Sequence, residues 1–283
     1  MMNEIDAQRF DDVRSKYEDG NYSQALEELR ELAGQITDPW DKAELLYNEI
    51  IFLVVMRKIP EARQRVADLN KAITSLVENP SDGYGYDMPI SLPVMAREAE
   101  LRVTAAEGKT LEALRILDDL VSRYPKQLSI PEFHTVSQEI KTLRGILLAD
   151  AGRWEEAGPF LEDAVPPDCW KDYHTYYLGQ YYYELKKYER AKETLLQALN
   201  LDLPNSWKGQ AHFILGSIEY CLSDLKAAKR HLEECARTAD PKYTDMAKVW
   251  WGLEVICRNL GLLAEAENYQ KLRTGLPPTS KIN

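Results

Sequence analysis

The sequence is short of the features that carry a chain into a membrane or out of a cell. Its longest apolar run, Ile50 to Met56 (IIFLVVM), has seven residues, against the roughly 20 needed to cross a bilayer; it predicts a buried helix. The start, MMNEIDAQRFDDVRSKYEDG, is acidic from its fourth residue and lacks the basic head and apolar stretch of a secretory signal, which predicts a cytoplasmic protein. Cysteine is scarce, and Cys169, Cys221, Cys235 and Cys257 never fall two to four residues apart as paired zinc ligands do. Without an export signal these four are expected to be reduced packing residues. Cationic charge is also in deficit: 35 Lys and Arg face 46 Asp and Glu, a net charge of -11. Such a surface repels phosphate backbones and anionic lipid, so nucleic acid and membranes are excluded as expected partners.

Signatures of catalysis are missing as well. The 283 residues contain no phosphate loop, no HExxH helix and no GxSxG elbow. The four histidines, His134, His174, His212 and His231, are spread one to a helical segment rather than converging with carboxylates. A Ser-x-x-Lys string, Ser223 to Lys226, falls at a turn, where the serine is expected to cap the next helix. No catalytic residue, metal site or cofactor is predicted.

What is present is repetition. One alanine recurs in register as Ala25, Ala62, Ala113, Ala157, Ala191, Ala228 and Ala266. Five residues before each stands Gly20, Arg57, Gly108, Gly152, Lys186, Ser223 or Gly261. Four of the seven are glycine, the residue that ends a helix in the left-handed conformation without steric cost. Four residues after the alanine come Leu29, Val66, Leu117, Leu161, Leu195, Leu232 and Gln270, and seven after it Leu32, Leu69, Leu120, Ala164, Ala198, Cys235 and Arg273. These spacings put both positions on one helical stripe with the alanine, which predicts a core stripe in the first six copies. Gln270 and Arg273 break the pattern, so Ala264 to Arg273 reads as a closing helix whose outer face is polar.

The fullest copy runs from Asp172 to Leu203, with Leu178-Gly179, Tyr182, Tyr188, Ala191, Leu195, Ala198 and then Pro204. It resembles the tetratricopeptide repeat. The resemblance implies an all-α, right-handed superhelical solenoid of about seven antiparallel helical hairpins, over approximately 4–34, 41–77, 93–124, 133–165, 172–203, 209–239 and 243–274. It also implies a non-enzymatic scaffold that binds a protein or peptide along the concave wall formed by the first helix of each hairpin. In the last three copies that wall would comprise Tyr173, Tyr176, Gln180, Tyr183, Phe213, Tyr220, Lys248, Trp251 and Arg258. The family's clamp for chaperone tails is not matched, because its places hold Phe10, Arg14, Asn48, Met95 and Ala99. Arg14, Arg102, Lys248 and Arg258 remain as cations able to meet an acidic ligand.

The register is interrupted twice, by intervals of 51 and 44 residues. The larger surplus places an inserted loop at 78–92, rich in proline and glycine, with Tyr84, Tyr86 and Asp87 as candidate contacts. Two other readings are compatible with the sequence. The IIFLVVM helix suits a self-assembling subunit, making a homo-oligomer possible, and a cluster of Asp172, His174 and tyrosines under the 84–87 loop would suit an unusual solenoid enzyme.

Overall fold

A computed structural model describes residues 4–78, 91–129, 134–166, 171–201, 203–239, 241 and 244–275. Among them are fourteen α-helices and no strand. They belong to two compact units, residues 1–151 and 152–283. The first holds α1 (Glu4–Glu18), α2 (Tyr22–Gln35), α3 (Pro39–Val55), α4 (Ile59–Glu78), α5 (Ser91–Ala106), α6 (Thr110–Arg123) and α7 (His134–Asp150). The second holds α8 (Trp154–Asp163), α9 (Lys171–Glu184), α10 (Tyr188–Leu199), α11 (Asn205–Cys221), α12 (Leu225–Thr238), α13 (Met246–Asn259) and α14 (Leu263–Thr274). The architecture is an all-α solenoid of helical hairpins, with no helix among the described residues long and apolar enough to cross a membrane.

Each hairpin is made by its turn. All seven residues that stand five before the register alanines have positive φ: Gly20 +81°, Arg57 +59°, Gly108 +75°, Gly152 +73°, Lys186 +57°, Ser223 +66° and Gly261 +76°. A left-handed residue after a helix lets two amides turn back on the orphan carbonyls of the last turn. Lys186 and Lys187 do this, donating from their backbone N–H groups to Tyr183 O and Tyr182 O, each at 2.9 Å. The same pair of bonds recurs at Gly20, Arg57, Gly108, Ser223 and Gly261. The next helix begins at once, and the amide of each register alanine closes its first turn onto the carbonyl four residues back. Ser223 is therefore not the cap of α12, as its sequence position suggested. It is the left-handed residue, and the Asp224 carboxylate does the capping by accepting the Ala227 N–H at 2.9 Å.

The register alanines are at most 1% exposed in all seven hairpins. In the six hairpins that lie within one unit, a larger side chain at this buried position would hold the two packed helices apart. Gly179 and Gly216 extend that contact, since a Cβ on either would lie under 3 Å from the Leu195 or Leu232 side chain. The stripe residues Leu29, Leu32, Leu69, Leu117, Leu120, Leu161, Leu195 and Cys235 are buried beside the alanines. In α14, Ala266, Asn268 and Tyr269 are buried while Gln270 and Arg273 are exposed, Gln270 accepting from Arg258 at 3.1 Å and Arg273 donating to Glu254 at 3.2 Å.

The first unit also buries charge. Glu49, 5% exposed, accepts from Arg30 at 2.7 Å and Arg65 at 3.1 Å. Arg102, 4% exposed, is bonded to Glu98 and Glu139, and the Tyr47 hydroxyl donates to Glu98 at 2.7 Å. Burial and the nearby Glu98 charge push the Tyr47 phenol well above its ordinary range. The IIFLVVM segment lies along α3 with Ile50, Phe52 and Leu53 in the core. In the second unit His212 of α11 and His231 of α12 face each other, Nδ1 to Nδ1, at 3.0 Å. Only one of these nitrogens can carry the proton between them. Burial and then the His231 neighbour lower the His212 pKa to about 4; burial also lowers that of His231, with Glu219 opposing and Arg230 and Lys192 reinforcing the shift.

Three substitutions test the turn and the packing it imposes. Gly108 has open space around its missing Cβ, so Gly108→Ala tests backbone conformation alone and is expected to cost about 1 kcal/mol. Lys186→Gly relieves a left-handed side chain and is expected to gain ~0.5–1 kcal/mol; denaturant unfolding that moves neither variant would remove the turn as the cause. Gly179→Ala, with its Cβ 2.7 Å from Leu195 Cγ, is expected to cost ~1–3 kcal/mol by overpacking, measured the same way. As for pH, His212 and His231 titrate below the ordinary histidine range when folded, so the unfolded chain takes up protons first. The stability they confer is complete above pH ~6.5 and is lost as pH falls toward 4. A His212→Asn, His231→Asn double variant should lose less stability between pH 7 and 5 than the parent; identical thermal-unfolding profiles would exclude the pair as the source.

Candidate peptide-binding face

The nine wall residues predicted from the repeat all lie on α9, α11 and α13 of the second unit, yet they do not share one environment. Tyr176 is 2% exposed and its hydroxyl donates to Gln210 Oε1 at 2.9 Å. Its ring meets Trp207 edge-on, the centroids 5.0 Å apart, and Tyr173 and Tyr177 approach the same indole at 5.3 and 5.4 Å. Trp207 thus sits at the centre of an aromatic cluster that packs α9 against α11. Tyr176 is an interior residue, not a surface one, because the start of the following hairpin covers it. The sequence singled out the tyrosines and passed over Trp207, which stands at the beginning of α11 ahead of the repeating pattern.

Tyr183 is half-buried, its hydroxyl hydrogen-bonded to Ser217 and its ring 6.2 Å from that of Tyr188; burial raises its pKa. Gln180 is half-buried, and Phe213 packs against the core formed by the last two hairpins. The remaining four residues face outward. Tyr220 is 44% and Trp251 57% exposed. The Lys248 ammonium lies 3.5 Å from Asp245, and the Arg258 guanidinium donates to Glu254 at 3.0 Å. Trp251 faces outward while its neighbour Trp250, partly buried, packs against the core and stacks on Tyr269 at 6.0 Å between centroids and 13° between planes. Consecutive helical residues point about 100° apart, so α13 cannot bury both indoles in the same core.

The other candidates read from the amino-acid pattern resolve differently, and burial again decides. Arg102 is held between Glu98 and Glu139 and does not present a cation to a ligand. His174, of the enzyme alternative, is buried with its Nε2 2.9 Å from the Leu161 carbonyl, a bond that uses the ring N–H to tie α9 to α8. Burial lowers its pKa. Cys235 and Cys257 are buried, and burial pushes their thiols up to about 12 and about 11, far from the thiolate needed for nucleophilic or redox chemistry. Cys221 differs from the expectation in being exposed. Tyr84, Tyr86, Asp87 and Cys169 lie outside the described residues. Among the described residues no group of three or more His, Cys, Asp or Glu side chains is placed to hold a metal ion.

Comparison with known proteins agrees with this geometry. The tetratricopeptide repeat family model matches residues 176–205, which span most of α9 and all of α10. No curated protein matches the sequence significantly. Among solved structures, PilF of Pseudomonas aeruginosa is similar at a TM-score of 0.56 and 15% identity, covering 86% of this chain and 96% of its own. A signal transduction ATPase with a tetratricopeptide repeat sensor from Pyrococcus horikoshii is similar at a TM-score of 0.53 and 15% identity, covering 94% of this chain and 41% of its own. At such identities the likeness is one of fold. Residues 176–205 carry a tetratricopeptide repeat, and the chain shares its fold with a tetratricopeptide-repeat structure.

Proposed function

We propose that the protein is a non-catalytic scaffold that binds a peptide or protein segment on the outward face of α11 and α13. The observation that carries this reading is Trp251, a large indole left 57% exposed on a first helix, with Tyr220, Lys248 and Arg258 as the other exposed residues of the predicted wall. Exposed aromatic and arginine side chains are the residues that most often dominate protein interfaces, because they bury much area with few torsions to fix. Tyr173, Tyr176, Tyr183 and Phe213 support the face from beneath rather than contacting a ligand. A cytoplasmic setting, with no nucleic acid and no membrane partner, belongs to the same reading.

Capture of binding segments from a peptide library by the purified protein tests it. Trp251→Ala with Tyr220→Ala is expected to weaken captured segments at least tenfold while changing stability by less than about 0.5 kcal/mol, as is usual for exposed side chains. Tyr176→Phe, which removes only the buried hydroxyl bond to Gln210, should leave binding intact. Retention of every captured segment by the Trp251, Tyr220 double variant would reject the face.

A further inference from the structure

Two of the chain's four histidines are brought together where α11 packs on α12, and the peptide-binding face makes no use of them. His212 and His231 are nineteen positions apart in the sequence, yet their Nδ1 atoms are 3.0 Å from each other. Their ring centroids are 5.3 Å apart, so the two nitrogens face each other almost head-on. Both residues are half-buried and keep a side toward solvent. The charges around the pair are matched among themselves. Glu219 of α11 holds Lys192 of α10 at 2.7 Å, and on α12 Glu234 accepts from Arg237 at 3.1 Å; Arg230 adds a further cation. No carboxylate is therefore spare to hold an imidazolium here. Burial keeps both rings neutral at neutral pH, and neutral imidazole is the form that ligates a metal ion.

The separation of the two nitrogens bears on which ion they suit. With metal–nitrogen bonds of about 2.05 Å, donors in neighbouring corners of a square stand about 2.9 Å apart, and tetrahedral donors about 3.3 Å. The observed 3.0 Å is nearer the first. The helices thus already hold the nitrogens at the bite of a tetragonal ion, and only the rings must turn for their lone pairs to converge. Oxygen-seeking magnesium and calcium have no use for such a pair, whereas copper(II) and nickel(II) favour imidazole in that geometry. We propose that His212 and His231 form a two-imidazole chelating site for a tetragonal divalent ion of the copper(II) and nickel(II) class, bound through both Nδ1 atoms with water in its remaining positions. Among the described residues no third His, Cys, Asp or Glu is placed to join them. On binding, the one proton between the two Nδ1 atoms passes by exchange with water to Nε2 of its own ring. Each ring stays neutral, and both lone pairs go to the ion.

The probes are NiCl2 and CuCl2, added to the untagged, metal-free full chain at pH 7.5. Calorimetric titration with nickel should show one ion per chain with a Kd on the order of 10 μM, copper should bind more tightly, and magnesium should not bind. One equivalent of copper should give an electron paramagnetic resonance spectrum with hyperfine coupling to two nitrogens. His212→Asn and His231→Asn should each weaken nickel at least tenfold. Either change could also disturb the packing of α11 on α12, and the nitrogen count, taken on the unsubstituted chain, decides without them. Cys221→Ser removes the exposed thiol of α11 and should leave nickel binding unchanged; a loss would move the ion to that thiol and overturn the histidine pair. No saturable nickel binding below 1 mM, a copper spectrum without two coupled nitrogens, or full binding by both asparagine variants would each overturn the proposal. Zinc bound more tightly than copper and nickel would overturn the tetragonal assignment.

Discussion

Everything in this fold depends on a single backbone conformation placed five residues before an alanine. The left-handed residue ends one helix, directs two amides back onto its last carbonyls, and starts the next helix without an intervening loop. Because the reversal is this tight, the two helices meet almost immediately, and the first residue facing the partner must be small. That residue is the register alanine, and its burial in the six hairpins that lie within one unit is the packing consequence of the turn. A local torsion angle thus dictates the side-chain volume at one site and the apolar stripe that follows it. Three turns reach this geometry without glycine, through Arg57, Lys186 and Ser223, so stacking of the hairpins outweighs a left-handed penalty of about 1–2 kcal/mol at each.

The two units use their first helices differently. In the first unit Tyr47 of α3, Glu98 and Arg102 of α5 and Glu139 of α7 bond to one another, and Glu98 and Arg102 are almost fully buried. Such a network is costly to desolvate and repays the cost only when each member is partnered, which makes it a device for fixing neighbouring hairpins in register rather than for receiving a ligand. In the second unit the corresponding helices are joined by aromatic contacts around Trp207 and by the Tyr176 to Gln210 bond. Aromatic packing needs few ionic partners, and it leaves Tyr220 and Trp251 free to face outward.

The register was legible in the sequence because it is a local property. The alanines, the turn residues and the stripe are each dictated by contacts inside one hairpin, so their spacing shows them directly. The site was only partly legible, because exposure is decided by the next hairpin. Nothing in the string Tyr173 to Tyr183 reveals that Trp207, some thirty residues later, covers Tyr176. Likewise Arg102 reads as a cation on a binding wall until Glu139 of another helix is seen to hold it. The capping serine failed for the opposite reason: Ser223 and Asp224 are both good caps by composition, and the left-handed backbone at Ser223 gives the task to Asp224.

This distinction also explains why a face of a repeat protein cannot be assigned by position alone. Trp250 and Trp251 are identical and adjacent, yet one stacks on Tyr269 and the other is in water. The helical rotation between them, about 100°, turns one indole against the hairpin core and the other away from it. An exposed indole on a helix whose neighbour already fills the core adds nothing to folding that a smaller residue would not supply. The area it can bury against something else is what sets it apart, so the proposed binding face rests on Trp251 rather than on the more numerous tyrosines of α9.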